Sequence, residues 1–261
     1  MQLFLAQDDY QALKGPIDET LRLRLPKRFF GFSTHFGPKD DNGTRLLANT
    51  DGPVDHRVEI WTIPDFFEDY MDHNPQEEPT VWDWLTWPQQ HLLGVTAGAV
   101  FRDDQGDLQK IRRRLRHFPR DVWLYLLAEQ WVCIAQEEHF VGRNGEVGDE
   151  IGSQLLAARL VHDLMQLCFL MEKTYFPYPK WFGSAFSNLK CASSLIPILN
   201  QVLIAQIGRN ERNISARRMK PSPACIMTWE SQNLWRHMCD TSTIAPFELL
   251  TQTGLLRRSE T

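Results

Sequence analysis

The chain has 261 residues, of which 43% are hydrophobic and 23% charged, and its formal net charge is -5. That length admits one large domain or two modest ones, the composition is that of a soluble globular protein, and the negative balance argues against a general nucleic-acid binder. Nine Trp and fifteen Phe point to a large aromatic core or cleft. The five cysteines are Cys133, Cys168, Cys191, Cys225 and Cys239. Their number is odd and no pair is spaced C-x-x-C, so the expectation is a reducing compartment with neither a zinc site nor a disulfide framework.

The first residues, MQLFLAQDD, have no basic lead and only a short apolar run, which is not a signal peptide. No stretch approaches the ~18–20 apolar residues of a membrane span, and the expected location is the cytoplasm. Gln2 to Leu5 reads as a strand. A helix follows from Asp8 or Asp9 to about Leu25 and is stopped by Pro26. Phe29 to Phe36 is aromatic and extended, interrupted at Gly31. Gly37 to Pro53 is rich in Gly, Pro, Asn and Asp and reads as loop. Val58 to Ile63 alternates as a strand does, and Pro64 and Asp65 open a short acidic helix ending near Met71. The polar stretch Asp72–Pro79 is a candidate boundary between domains.

Trp82, Trp84 and Trp87 lead to a helix that starts at Pro88 and reaches about Val100. The run KIRRRLRHFPR from Lys110 to Arg120 is strongly basic. It reads as a solvated helix face, and phosphate binding is the minority reading because no glycine-rich loop accompanies it. Two long apolar segments then flank a short polar, glycine-rich loop. The first runs from Asp121 to about Val141 and the second from about Val147 to Tyr175. Neither alternates strictly and both are too long for strands, so both read as helices, joined as an antiparallel hairpin. Asp121 is a candidate cap for the first, and Asp149 and Glu150 stand where the second begins.

Each of these helices carries one polar stripe, with Glu129, Cys133, Gln136 and Glu137 on the first and Arg159, Asp163 and Gln166 on the second. Spacings of three and four put each stripe on one face. Two readings stand: the stripes are solvated faces, or they line a cleft in which the acids pair with Arg159 or hold a polar ligand. After Phe186 one more apolar helix is expected over Leu195–Ile207. Arg217 to Pro223 reads as loop, and Ile226 to Met238 as a helix. The expected organisation is an α+β chain, with residues 1–75 as a small α/β unit, 80–207 as a larger helical domain, and 208–261 as a divergent tail.

The strings VEIWTIPDFFEDY, DWLTWPQQHLLGVTAGAVF, FPRDVWLYLLAEQW and QEEHFVGRNGEVGDEIGSQLLAARLVHDLMQLCFLMEKTYFPYPKWFGSAF closely resemble an uncharacterised microbial and fungal family. That family is a domain of unknown function associated with nucleotidyltransferase-like domains. The resemblance covers most of residues 1–190. It implies a partial nucleotidyltransferase-like mixed sheet followed by the helical domain, similar in plan to the aminoglycoside nucleotidyltransferases. Such enzymes move a nucleotide from a nucleoside triphosphate to a small acceptor. They hold the triphosphate on a Gly-Ser turn and magnesium on two strand carboxylates, with a third on a neighbouring strand.

Family members carry the turn and the first acids just upstream of the strand that is here Gln2–Leu5, and nothing in residues 1–40 replaces them. The expectation is therefore an N-terminally truncated chain with no complete catalytic set. By the resemblance Glu59 matches the third-carboxylate strand, as a remnant metal position whose plain alternative is an exposed strand glutamate. Mg2+ and a nucleoside triphosphate are implied by the resemblance alone. Glu137, Arg143, Asp149, Arg159 and Lys180 are the candidates for lining the helical cleft and meeting a nucleotide or small-molecule ligand. Their alternatives are ordinary: helix-start carboxylate for Asp149, turn residue for Arg143, and for Lys180 a surface lysine covering Trp181 or Tyr178. His139 and His162 read as isolated. The alternative to a nucleotidyltransferase-like protein is a non-catalytic helical binding or interaction protein.

Overall fold

The computed structural model describes residues 1–207, so the loop read at Arg217–Pro223 and the helix read at Ile226–Met238 lie outside the described residues. The fold is α+β, with a few short strands in small sheets and a larger helical region. The chain divides into two compact units: Met1–Thr80 with Asp104–Ile111, and Val81–Asp103 with the chain from Arg112 onward.

In the first unit β1 (Gln2–Leu5) is followed by α1 (Gln7–Arg24), an 18-residue helix with Asp8 and Asp9 in its first turn. Next comes a tight hairpin of β2 (Arg28–Phe29) and β3 (Phe32–Ser33). Its two turn residues, Phe30 and Gly31, both sit at positive φ, 48° and 83°, as a two-residue hairpin turn of primed type requires. Phe29, Phe30 and Phe32 are left exposed.

The stretch read as loop from Gly37 to Pro53 is corrected by the structure. β4 (Phe36–Lys39) and β5 (Arg45–Leu47) pair antiparallel within it, Phe36 opposite Leu47 and Lys39 opposite Arg45. The tip is an Asp-centred turn: Asp40 Oδ1 accepts the N–H groups of Asn42 and Thr44 at 3.0 and 2.6 Å, and Gly43 takes φ 77°. Turn residues dominated the composition and masked the short arms on either side.

β6 (Glu59–Thr62) returns to pair in parallel with β1, Gln2 opposite Glu59 and Leu5 opposite Thr62. Its alternation is visible in burial, with Ile60 and Thr62 inside and Glu59 outside. The strand stops there because α2 (Ile63–Met71) begins at once. The Thr62 side chain accepts the Asp65 N–H at 3.2 Å and Pro64 occupies the first turn. Phe67 and Met71, four apart, bury one face of α2, and Asp72 ends it in the left-handed region at φ 52°.

The second unit is helical. α3 (Val81–Thr86) and α4 (Gln89–Thr96) come first. α4 ends before the expected Val100, because Gly98 turns left-handed at φ 72° and Arg112 Nη2 donates to the carbonyls of Thr96, Ala97 and Gly98 at 2.6, 2.8 and 2.8 Å. A cation on the last carbonyls of a helix meets both their open lone pairs and the negative end of the dipole. Arg112 sits near the end of α5 (Asp107–Arg114), so the basic run is not simply a solvated face. One of its arginines closes another helix.

α6 (Arg120–Glu146) and α7 (Glu150–Met171) form the expected hairpin; α7 starts three residues after the expected Val147 and ends four before the expected Tyr175, Lys173 lying in the left-handed region at φ 52°, and there are two further corrections. Asp121 does not cap α6: Pro119 holds the cap position without a side-chain bond, and Asp121 lies inside the first turn. α6 also runs past Val141 to Glu146, so the connection shrinks to Val147, Gly148 and Asp149, with Gly148 at φ 81°. Cross-links along the hairpin are Trp123 Nε1 to Leu170 O (2.7 Å), Gln130 Nε2 to Asp163 O (3.2 Å) and Ser153 Oγ to Val141 O (3.0 Å).

α8 (Pro179–Phe186) was not expected as a helix. α9 (Ala192–Ile207) starts three residues before the expected Leu195. The aromatic core of this unit has two clusters. Trp84 meets Trp87 and Phe118 edge-on, with Phe118 against Tyr175. Phe169, fully buried, meets Phe176, Phe182 and Phe186. The Tyr175 hydroxyl donates to Leu115 O at 2.9 Å.

Candidate functional site

Antiparallel pairing of α6 and α7 decides which members of the two polar stripes meet. Glu137 pairs with Arg159, Nη2 to Oε1 at 2.7 Å. One turn back on α6 and one turn on along α7, Cys133 and Asp163 come into the same neighbourhood, and Glu129 follows a further turn along α6. The Cys133 thiol lies 3.6 Å from Glu129 Oε1. Its ionisation is pushed up by burial first, then by Glu129, with the charges of Asp163 and Glu137 adding. A thiolate there would face three carboxylates drawn from two helices.

The pair is unequal in exposure: the Glu137 side chain retains 21% of its surface and Arg159 62%. Glu137 Oε2 is shut off from solvent and has no hydrogen-bond partner among the described residues. One oxygen of the carboxylate is therefore committed to Arg159, and the other is a buried acceptor without a donor. Gln130, buried beneath the stripe, ties α6 to the Asp163 carbonyl. His162 Nδ1 stands 3.7 Å from Asp163 Oδ1, and its ring lies 4.8 Å from the Phe182 ring of α8. His162 is thus not isolated, because the helix following α7 folds back onto it.

The other candidate residues stand elsewhere or are otherwise engaged. Asp149 caps α7, its Oδ1 accepting the Gly152 N–H at 2.8 Å. Arg143 is in the last turn of α6, with its guanidinium 5.9 Å from the centre of the Phe140 ring. Lys180 opens α8 with its ammonium 5.2 Å over the Trp181 ring, and the Trp181 indole N–H donates to Tyr178 Oη at 2.9 Å. Glu59 belongs to the first unit, exposed at the start of β6, where its backbone N–H donates to Met1 O at 3.0 Å.

Magnesium needs several oxygens converging at near-octahedral geometry. Among the described residues no three His, Cys, Asp or Glu side chains are placed to share a metal ion, and Glu59 offers a single carboxylate. This donor set does not fit magnesium. What the hairpin does offer is hydrogen bonding and charge, as acceptor oxygens on Glu129, Glu137 and Asp163 and donor nitrogens on Arg159. Also among the described residues, no helix is long and apolar enough to cross a membrane.

The sequence singled out Glu137 and Arg159 by spacing. Gln130 and His162 were missed as parts of the site. Gln130 sits in an apolar run and has no stripe of its own, while His162 acquires its role from Phe182, twenty positions later.

Residues 84–182 match a family described as a domain of unknown function (DUF4037). That span holds both hairpin helices and every residue of the polar stripe. A DNA ligase of Syntrophus aciditrophicus (strain SB) is 31% identical over 107 residues, which is 37% of this chain and 16% of the ligase. The chain thus spans 16% of the length of the curated relative it matches. No solved structure matches the chain.

Proposed function

We propose that this is a nucleotidyltransferase-like protein that holds a polar ligand, a nucleotide or a small molecule, against the α6–α7 hairpin, in a cytoplasmic setting, and that it does not itself transfer a nucleotide. The observation that carries this is the Glu137–Arg159 pair with its second carboxylate oxygen buried and unpartnered. A buried acceptor without a donor is costly to keep unless a ligand supplies one. The match to an uncharacterised family lies over this same hairpin, and the partial similarity to a ligase is in keeping with a nucleotide-handling ancestry. The non-transferring half of the reading rests on the donor set: one exposed strand glutamate and no triad of metal ligands among the described residues.

Calorimetric titration with Mg-ATP tests the ligand. Binding is expected, and Arg159→Ala is expected to weaken it about tenfold, the loss of one charge-assisted contact. Absence of heat with the unaltered protein removes the nucleotide from the proposal. Labelled nucleotide appearing on any small acceptor overturns its non-transferring half.

A second reading, a non-catalytic interaction protein, is favoured by a different feature of α7. Val147 just before it and Ile151 and Leu155 on it recur every four residues, and all three are more than two-thirds exposed. Regularly spaced apolar side chains left in water mark a contact surface. A stable partner recovered with the full chain, and lost on Ile151→Asp, would favour it.

A further inference from the structure

The β2–β3 hairpin carries three large apolar side chains that the described residues leave uncovered. Phe29, Phe30 and Phe32 keep 62%, 85% and 71% of their surface. Phe29 and Phe32 are direct cross-strand partners, so both leave the ribbon on one face. Phe30 stands at the tip, its ring centre 4.5 Å from that of Phe29. The base of the ribbon is tied down: Ser33 Oγ donates to Ala48 O at 2.5 Å, the Thr34 N–H donates to Lys27 O at 3.1 Å, and the Lys27 ammonium donates to Asp51 O. Phe30 also holds a backbone conformation that its side chain disfavours. At φ 48° it fills the first position of a turn for which Asn-Gly is the preferred pair, and a bulky residue at positive φ is an outlier. Asn would serve this turn better, so the ring answers to something other than folding.

Charge around the tip indicates what it meets. From Thr20 to Lys39 the chain has five Lys or Arg and no Asp or Glu, although its formal net charge is -5. Arg24 ends α1 and Arg28 opens β2, and both are exposed. Rings without a hydrogen-bonding group, flanked by cations, match a boundary where hydrocarbon lies beneath a layer of negative charge. A single-stranded nucleic acid fits less well, because Phe29 and Phe30 meet at 68° and form no flat platform for stacked bases. We propose that the β2–β3 hairpin is a membrane-surface docking site. Phe29, Phe30 and Phe32 enter the headgroup–acyl boundary of a bilayer bearing anionic lipids, and Arg24 and Arg28 meet its phosphates. The attachment is to the surface, without a spanning segment. It involves the first unit alone and is independent of the ligand reading above.

The test floats the full chain with vesicles of phosphatidylcholine alone and with vesicles that also contain phosphatidylserine, at low and high salt. The chain is expected to float with the anionic vesicles, and less so as salt rises. Phe30→Asn suits the left-handed turn, so it is expected to keep or raise the melting temperature while weakening vesicle partitioning about tenfold. Arg28→Gln is expected to weaken it about fivefold at low salt and less at high salt. The proposal is overturned if the chain does not float with anionic vesicles, if it floats equally with neutral ones at both salt concentrations, or if Phe30→Asn binds as the unaltered chain does. A second copy seated on the hairpin would appear in gel filtration as an oligomer that Phe30→Asn dissociates. Cover from elsewhere in the chain would appear as a fall in melting temperature in that variant. Either result also overturns the proposal.

Discussion

Helices α1 and α7 are similar in length and differ in what stabilises them. α1 has 18 residues and buries no side chain; α7 has 22 and buries eight of them, among them Leu160, Leu167, Phe169 and Leu170. The contrast extends to their units. In the first, three phenylalanines of the β2–β3 hairpin and Leu46 and Leu47 of β5 face solvent, while the buried apolar set is small: Val54, Ile60, Phe67, Met71 and Ile111. In the second, aromatic rings meet one another around Phe169 and Phe118. Isolated helices are marginal, and tertiary burial of a face supplies most of their stability. Resistance to unfolding should therefore be concentrated around α7, and α1 should depend on local terms such as Asp8 and Asp9 at its start.

The strongest attempt to break this contrast is truncation on each side of it. Phe169→Ala is expected to cost about 3–5 kcal/mol, as large-to-small changes of a buried aromatic do. Leu13→Ala, at a 41% exposed position of α1, should stay within about 1 kcal/mol. Urea denaturation followed by circular dichroism measures both, and equal costs would remove the distinction.

Acid sharpens it next. Burial pushes the His117 imidazole down to about 4, the charge of Lys173 acting in the same direction against a hydrogen bond to Phe118 O. The unfolded chain takes up a proton near pH 6.5 that the folded chain refuses. The contribution of this group is therefore complete above about pH 6.5 and is lost as pH falls toward 4. Allowing for the partial exposure of the ring, about 1–2 kcal/mol should disappear across that window. Stability curves at successive pH values should flatten there in His117→Gln.

At the start of α7, a Cβ on Gly152 would come within 2.2 Å of Asp149 Oδ2. Gly152→Ala is therefore expected to displace the capping carboxylate and cost about 1 kcal/mol, and Asp149→Asn should cost less than half as much, since Asn caps as well as Asp. Thermal melts of the two variants separate these outcomes. A small effect is also expected at Arg159→Ala, under about 1 kcal/mol because the arginine side of the pair is 62% exposed, although Glu137 keeps only 21% of its surface. A larger loss in denaturation would mean that the pair is a structural strut of the hairpin and not a ligand contact.

Elements with a strong period could be read directly. VEIWTI alternates, and β6 buries Ile60 and Thr62 as the alternation requires. The two long apolar runs became α6 and α7 because nothing in them interrupts a helix, and Asp149 caps the second because its carboxylate and the Gly152 N–H are three residues apart. Where the signal was carried by short arms or by distant partners, it was hidden. Phe36–Lys39 and Arg45–Leu47 are too brief to show a period beside the DDNG turn. Arg112 looked like one charge among many until the end of α4 came within its reach. Gln130 and His162 entered the site only through Asp163 and Phe182.

The order of residues was thus enough to determine the α+β class, the hairpin, and one polar face on each of its helices, since all of these follow from spacing along a single segment. Only the tertiary structure decided that Glu137 faces Arg159, that one oxygen of that carboxylate is left without a donor, and that the Glu172 carboxylate reaches the Cys191 N–H. Each of these depends on the register between separate helices, and register is set by how buried side chains interlock, which spacing along one helix does not encode.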